Sequence, residues 1–218
     1  MTQAKSFQGI IFDMDNTLLK SNIDFHEMKQ VVYDFLLANE IIEVNPNWES
    51  QTASQIIESG RAHPRFAQFE QKVWRLVGEV EAKGMRDAAL EPHAREILQA
   101  LKEANKIVTI ATNNAYSAAR EALEQLSIFH MFDCVIGREQ MEALKPSPSC
   151  LFIMMRKWGQ LPKDQWVFIG DSWIDGMAAQ EAGIPFISYQ ANQDELLEQG
   201  VATFEHTTAL KELERLLL

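Results

Sequence analysis

Gly9-Ile10-Ile11-Phe12-Asp13-Met14-Asp15-Asn16-Thr17-Leu18 decides how the rest of the chain is read. Four apolar or small residues, two of them β-branched, predict a short strand buried on both faces, as in a parallel sheet. The run then breaks into carboxylates at alternate positions, Asp13 and Asp15. In an open parallel sheet the carboxyl ends of the strands face the ligand crevice, so both acids fall at its floor. Carboxylates placed this way can hold a divalent cation, divide into nucleophile and acid/base, or simply form a turn.

Four further runs have the same strand character: 106–111, 132–136, 166–169 and 185–188. Between and after them, apolar spacing predicts helices near 93–104, 115–126, 148–158, 174–182 and 208–217. Pro92 suits a first helical position, and Ser147-Pro148 reads as an N-cap followed by such a proline. Strand and helix in regular alternation predict an α/β fold, a doubly wound, Rossmann-like parallel sheet covered by helices. One stretch breaks the rhythm. Residues 21–88 contain no convincing strand, and 24–39, 48–59 and 65–83 each carry apolar residues at helical spacing. That is too long for a loop, so an all-helical domain is expected there, inserted into a core made of 1–20 and 89–218.

The chain has 218 residues, 46% of them hydrophobic, and a formal net charge of −11. Such a composition excludes global disorder. No apolar run reaches the ~18 residues needed to span a bilayer, so no membrane role is expected. The polar start of the chain shows no signal peptide. Cys134 and Cys150 form no metal quartet, which fits a reducing, cytoplasmic setting. An isoelectric point near 4.9 argues against nucleic acid as a partner, since no general cationic field is present. Nothing in the sequence specifies an oligomeric state.

Gly170-Asp171-Ser172-Trp173-Ile174-Asp175 follows its strand as the first acidic cluster follows strand one. Asp171 or Ser172 can simply cap the next helix. Acids on adjacent strand ends repel unless a cation joins them, and hard oxygen ligands suit Mg²⁺. Thr112-Asn113-Asn114 ends the second strand and offers a hydroxyl and N–H groups beside a helix N-terminus, an anion site as well as a cap. Lys145 precedes Pro146, which biases it to an extended loop. A lone lysine in a loop is usually solvated surface, and in this place it can instead supply the positive charge that the carboxylates and a phosphate need.

These motifs, in this order, resemble the haloacid dehalogenase-like hydrolases: Asp-x-Asp-x-Thr at 13–17, Thr-Asn at 112–113, Lys-Pro at 145–146 and Gly-Asp-Ser-x-x-Asp at 170–175. The resemblance spans nearly the whole chain, and the helical insert occupies the place of that family's helical cap. Dehalogenases and phosphonate-cleaving members lack the second aspartate, which is present here as Asp15. Gly170-Asp171-Ser172 with Asp175 and Gly176-Met177-Ala178-Ala179 resembles the phosphoglycolate phosphatase branch. Asn16 stands where many members carry glycine.

The resemblance implies a Mg²⁺-dependent phosphatase acting on a small phosphorylated metabolite through an aspartyl-phosphate. Asp13 is then the nucleophile and Asp15 the acid/base. Asp13, Asp171 and the Asp15 carbonyl hold the metal, Asp175 orients a metal-bound water or Lys145, and Thr112, Asn113 and Lys145 hold the phosphate. The alternatives are a sugar phosphomutase of the β-phosphoglucomutase type and, more distantly, a non-catalytic binding protein. The insert is not basic, since residues 21–90 hold seven Lys/Arg against eleven Asp/Glu. Its local exception is Arg61-Ala62-His63-Pro64-Arg65, where Arg61 and His63 are candidates for substrate selection and a polar turn is the alternative.

Overall fold

Gly9–Phe12 forms β1 and is fully buried, and it lies in the middle of the sheet because an apolar run can pack on both faces. The structure is a computed structural model that describes residues 6–218; of the polar start read over 1–8, residues 1–5 lie outside the described residues. The other strands are β2 (Leu19–Lys20), β3 (Ala89–Leu90), β4 (Ile107–Ala111), β5 (Cys134–Ile136), β6 (Trp166–Gly170), β7 (Phe186–Tyr189) and β8 (Glu205–Thr207). Six of them make one sheet in the order β5-β4-β1-β6-β7-β8, while β2 and β3 pair separately. Every pairing in the large sheet is parallel, with Phe12 level with Ile110 of β4 and Ile169 of β6. From β1 the chain builds β4 and β5 on one side and then crosses back to place β6 on the other, which makes the carboxyl end of β1 a topological switch point.

Helices α1 (Phe25–Ala38), α2 (Ala53–Arg61), α3 (Glu70–Met85), α4 (Ala94–Glu103), α5 (Tyr116–Gln125), α6 (Ser149–Lys157), α7 (Trp173–Ala182), α8 (Gln193–Glu198) and α9 (Leu213–Leu217) complete the chain. Ile11, Ala111, Trp166 and Phe168 share a core with Cys150, Leu151 and Met154 of α6 and with Ala178, Ala179 and Ala182 of α7. The alternate residues Ile10 and Phe12 point to the other face, as the two-residue period of a strand requires. All of them are excluded from solvent.

By contacts the chain divides into two compact units, one of the residues up to Lys20 with Ala89–Leu218, the other Ser21–Ala88. The second unit is helical. Met28, Val32 and Leu36 of α1, Ile56 and Ile57 of α2, and Val73 and Val77 of α3 form its core, with Phe66. Asp24 caps α1 by accepting the Glu27 N–H, and Thr52 with Gln55 forms a capping box on α2. No helix among the described residues is long and apolar enough to cross a membrane.

Three boundaries differ from the sequence reading. Pro92 precedes α4 by two residues, because His93 takes a left-handed φ of 66° as the cap and Ala94 starts the helix. Pro148 is itself the N-cap position of α6, with the Ser147 hydroxyl accepting the Ser149 N–H at 3.3 Å. The helix expected over 208–217 is a short 3-10 turn, Leu210–Glu212, followed by α9.

Candidate active site

Asp13 is the first residue beyond β1, and its N–H still donates to the Ile169 carbonyl of β6 at 2.8 Å. This bond sets its side chain among the strand ends, where it is 7% exposed. The next turn is tight. Leu18 and Leu19 both donate to the Met14 carbonyl, and Asn16 adopts a φ of 55°. That is the left-handed region, which asparagine tolerates far better than most residues, so Asn16 can stand where glycine is common.

Lys145 is the hub. It is 2% exposed, and its Nζ donates to Asp13 Oδ1 at 2.5 Å, to Asp175 Oδ1 at 2.7 Å and to the Ala111 carbonyl at 3.0 Å. Those bonds use all three ammonium protons. The loop carrying it is clasped by Asn113, whose Oδ1 accepts the Lys145 N–H at 2.9 Å and whose Nδ2 donates to the Lys145 carbonyl at 3.0 Å. Asp175, 1% exposed in the first turn of α7, also accepts the Ser172 N–H through Oδ2. Ser172 is the N-cap of α7, as the capping reading of this motif expects. Gly170 allows the approach, since a Cβ there would lie 2.5 Å from Asp175 Oδ2.

Asp13, Asp171 and Asp175 each offer an oxygen within 4.8 Å of the others. Burial raises the Asp171 carboxyl well above the ordinary carboxylate range, and the charges of Asp13 and Asp175 push the same way. Burial also lifts Asp175, to about 7, against the pull of Lys145. For Lys145 burial acts downwards, but Asp13 and Asp175 outweigh it and raise the ammonium above its ordinary value. Three clustered carboxylates facing one lysine leave negative charge uncompensated. A hard divalent cation fits that oxygen donor set.

Thr112 lies just past β4, its N–H donating to Ile136 and its Oγ1 accepting the Asn114 N–H at 3.1 Å. At the helix N-terminus beside it, Glu139 accepts the Tyr116 N–H at 2.8 Å. Asp15 accepts a hydrogen bond from Asn114 Nδ2 at 2.6 Å, a contact the sequence reading did not make. The Thr-Asn-Asn run was the available signal for it. Thus the strand ends bring together Asp13, Asp15, Thr112, Asn113, Lys145, Asp171 and Asp175. Arg61 and His63 belong to the helical unit. There Arg61 pairs with Glu58 and Glu70 at 3.4 and 3.1 Å and lies against Trp74, while His63 Nδ1 accepts the Arg65 N–H.

A model of the haloacid dehalogenase-like hydrolases matches residues 10–189, which include every strand-end residue just described. The chain belongs to that family. It is 29% identical over 189 residues to a phosphoglycolate phosphatase of Mannheimia succiniciproducens, covering 81% of this chain and 83% of that one. A phosphoglycolate phosphatase of Cereibacter sphaeroides is 25% identical over 221 residues, covering 96% and 99%. Among solved structures, a haloacid dehalogenase-superfamily hydrolase of subfamily IA from Geobacter sulfurreducens matches with a TM-score of 0.64 at 20% identity, covering 97% of this chain and 100% of that one. The last comparison speaks to the fold alone. Both of the relatives compared by sequence are phosphoglycolate phosphatases, the branch that the motif at 170–179 resembles.

Proposed function

We propose that this protein is a Mg²⁺-dependent phosphatase that hydrolyses a small phosphorylated metabolite through an aspartyl-phosphate on Asp13. The observation that carries the reading is Lys145, buried and bonded at once to Asp13 and Asp175, with Asp171 beside them. Asp13 attacks the phosphorus with a carboxylate oxygen, and the bond to the leaving alkoxide breaks. Asp15, two residues on, gives the alkoxide its proton and then takes one from the water that cleaves the acyl phosphate. Thr112 and the Asn113 N–H hold the phosphoryl oxygens, where charge is spread in the transition state, and Lys145 is the fixed positive charge beside them. Asp13, Asp171 and the Asp15 carbonyl would hold Mg²⁺, and Asp175 keeps Lys145 in place. When bound, the ion supplies positive charge to the phosphoryl group and offsets the repulsion among the carboxylates.

The names of the relatives favour water as the final acceptor and a small carboxylated or hydroxylated phosphate ester as substrate. A phosphate-release panel of 2-phosphoglycolate, sugar phosphates and nucleotides, run with Mg²⁺ and with chelator, tests this. Release from at least one small ester, lost with chelator, is expected; transfer to a second sugar phosphate without free phosphate would make it a mutase. Arg61 and His63 are proposed to set the ranking within the panel. An unchanged ranking in Arg61→Ala and His63→Ala would remove them from that role.

Asp15→Asn separates the two carboxylates. An alkoxide needs a proton to leave, whereas p-nitrophenolate leaves without one. The variant is expected to lose about a hundredfold or more in kcat/KM on an alkyl phosphate and much less on p-nitrophenyl phosphate, within the usual reach of general acid catalysis. Equal losses on both would mean that Asp15 is not the acid.

A further inference from the structure

Asn114 has no part in the mechanism above, yet it is mounted as if placement mattered. It is buried, its N–H donates to Thr112 Oγ1 at 3.1 Å, and its carbonyl accepts the Arg138 N–H at 2.9 Å. Those bonds tie it to the ends of β4 and β5. From there its amide reaches the end of β1 and donates to Asp15 Oδ2 at 2.6 Å. A carboxyl group turns about its last torsion in a broad, nearly two-fold well, so on its own it presents either oxygen. An amide N–H can bond only to an oxygen acting as acceptor.

We propose that Asn114 is a positioning residue for Asp15: by holding Oδ2 as the acceptor, it assigns the transferable proton to Oδ1 and fixes the plane of the acid. The inference rests on the reading of Asp15 as acid/base. Phosphate and metal are held by other groups, so the amide acts only where a proton is handed to the leaving oxygen. Its loss leaves the carboxyl free to turn through its broad torsional well, and only a small share of encounters then meets a proton aimed at the leaving oxygen.

The test is kcat/KM for an alkyl phosphate and for p-nitrophenyl phosphate in the wild type, Asn114→Ala and the near-isosteric Asn114→Leu. The same substrates are run on Asp15→Asn and on Asp15→Asn with Asn114→Leu. Because kcat/KM covers steps only as far as departure of the leaving group, the rate of dephosphorylation does not enter. Loss of a hydrogen bond to a charged or reacting group predicts about a ten- to hundredfold fall on the alkyl ester. On p-nitrophenyl phosphate the fall should stay within about threefold, as the acid is not needed there. On the Asp15→Asn background the alkyl-specific loss should vanish. Equal falls on the two esters, an undiminished loss without Asp15, or failure of both single variants to melt cooperatively would each overturn the proposal and make Asn114 a structural residue. If Asp15→Asn discriminates between the esters and the Asn114 variants do not, only this proposal falls. If Asp15→Asn does not discriminate, the reading of Asp15 falls first.

Discussion

Asp13→Asn is expected to cut turnover by about three decades or more while leaving the fold intact. The magnitude follows from removing the nucleophile itself, because an amide oxygen does not form a productive bond to phosphorus. The fold should survive, since the asparagine Oδ1 can still accept from Lys145 Nζ as Asp13 Oδ1 does at 2.5 Å. Stability without divalent cations should stay level or rise, because one of three carboxylates within 4.8 Å of one another is neutralised. The same change weakens the cation site, so the rise in melting temperature on adding Mg²⁺ should shrink relative to wild type. Steady-state rates and melting curves with and without Mg²⁺ check both halves. A variant keeping more than about a hundredth of the wild-type rate would not have lost its nucleophile.

The strands that position this site were legible because each is an apolar run of a length only a buried strand uses. β8 was not. Glu205-His206-Thr207 carries no apolar run, and as an edge strand it pairs only with β7, so nothing in its composition demands two covered faces. The prolines at 92 and 148 marked the right neighbourhoods, but their exact cap positions depend on a backbone turn at His93 and a side-chain bond at Ser147. The acids at the ends of β1 and β6 could be placed from strand direction alone. Their partners could not. Asn114 meets Asp15 across 99 residues of chain, and Glu139 reaches the start of α5 from beyond β5. Such pairings are products of strand order, which the sequence pattern does not number.

Lys145→Met should produce the largest combined loss, in stability as well as rate. Methionine keeps the length and the apolar stem but removes the three donors that serve Asp13, Asp175 and the Ala111 carbonyl. What remains is a set of buried acceptors without their cation. Breaking a buried ion pair by removing one partner costs about 3–5 kcal/mol. For a chain of this size that is roughly 10 °C in melting temperature. Lysine to arginine should not rescue the loss, because a planar guanidinium cannot point donors at three acceptors gathered around one ammonium nitrogen. The rate should fall by several decades, as the phosphoryl charge also loses its fixed partner. Divalent cation gives the decisive contrast. In wild type Lys145 and the cation share the task of offsetting Asp13, Asp171 and Asp175, so in Lys145→Met added Mg²⁺ should restore more of the melting temperature than it adds to the wild type. A variant that melts within about 2 °C of wild type without cation would show that the carboxylates need no such partner, since even 1 kcal/mol moves a domain of this size by about that much.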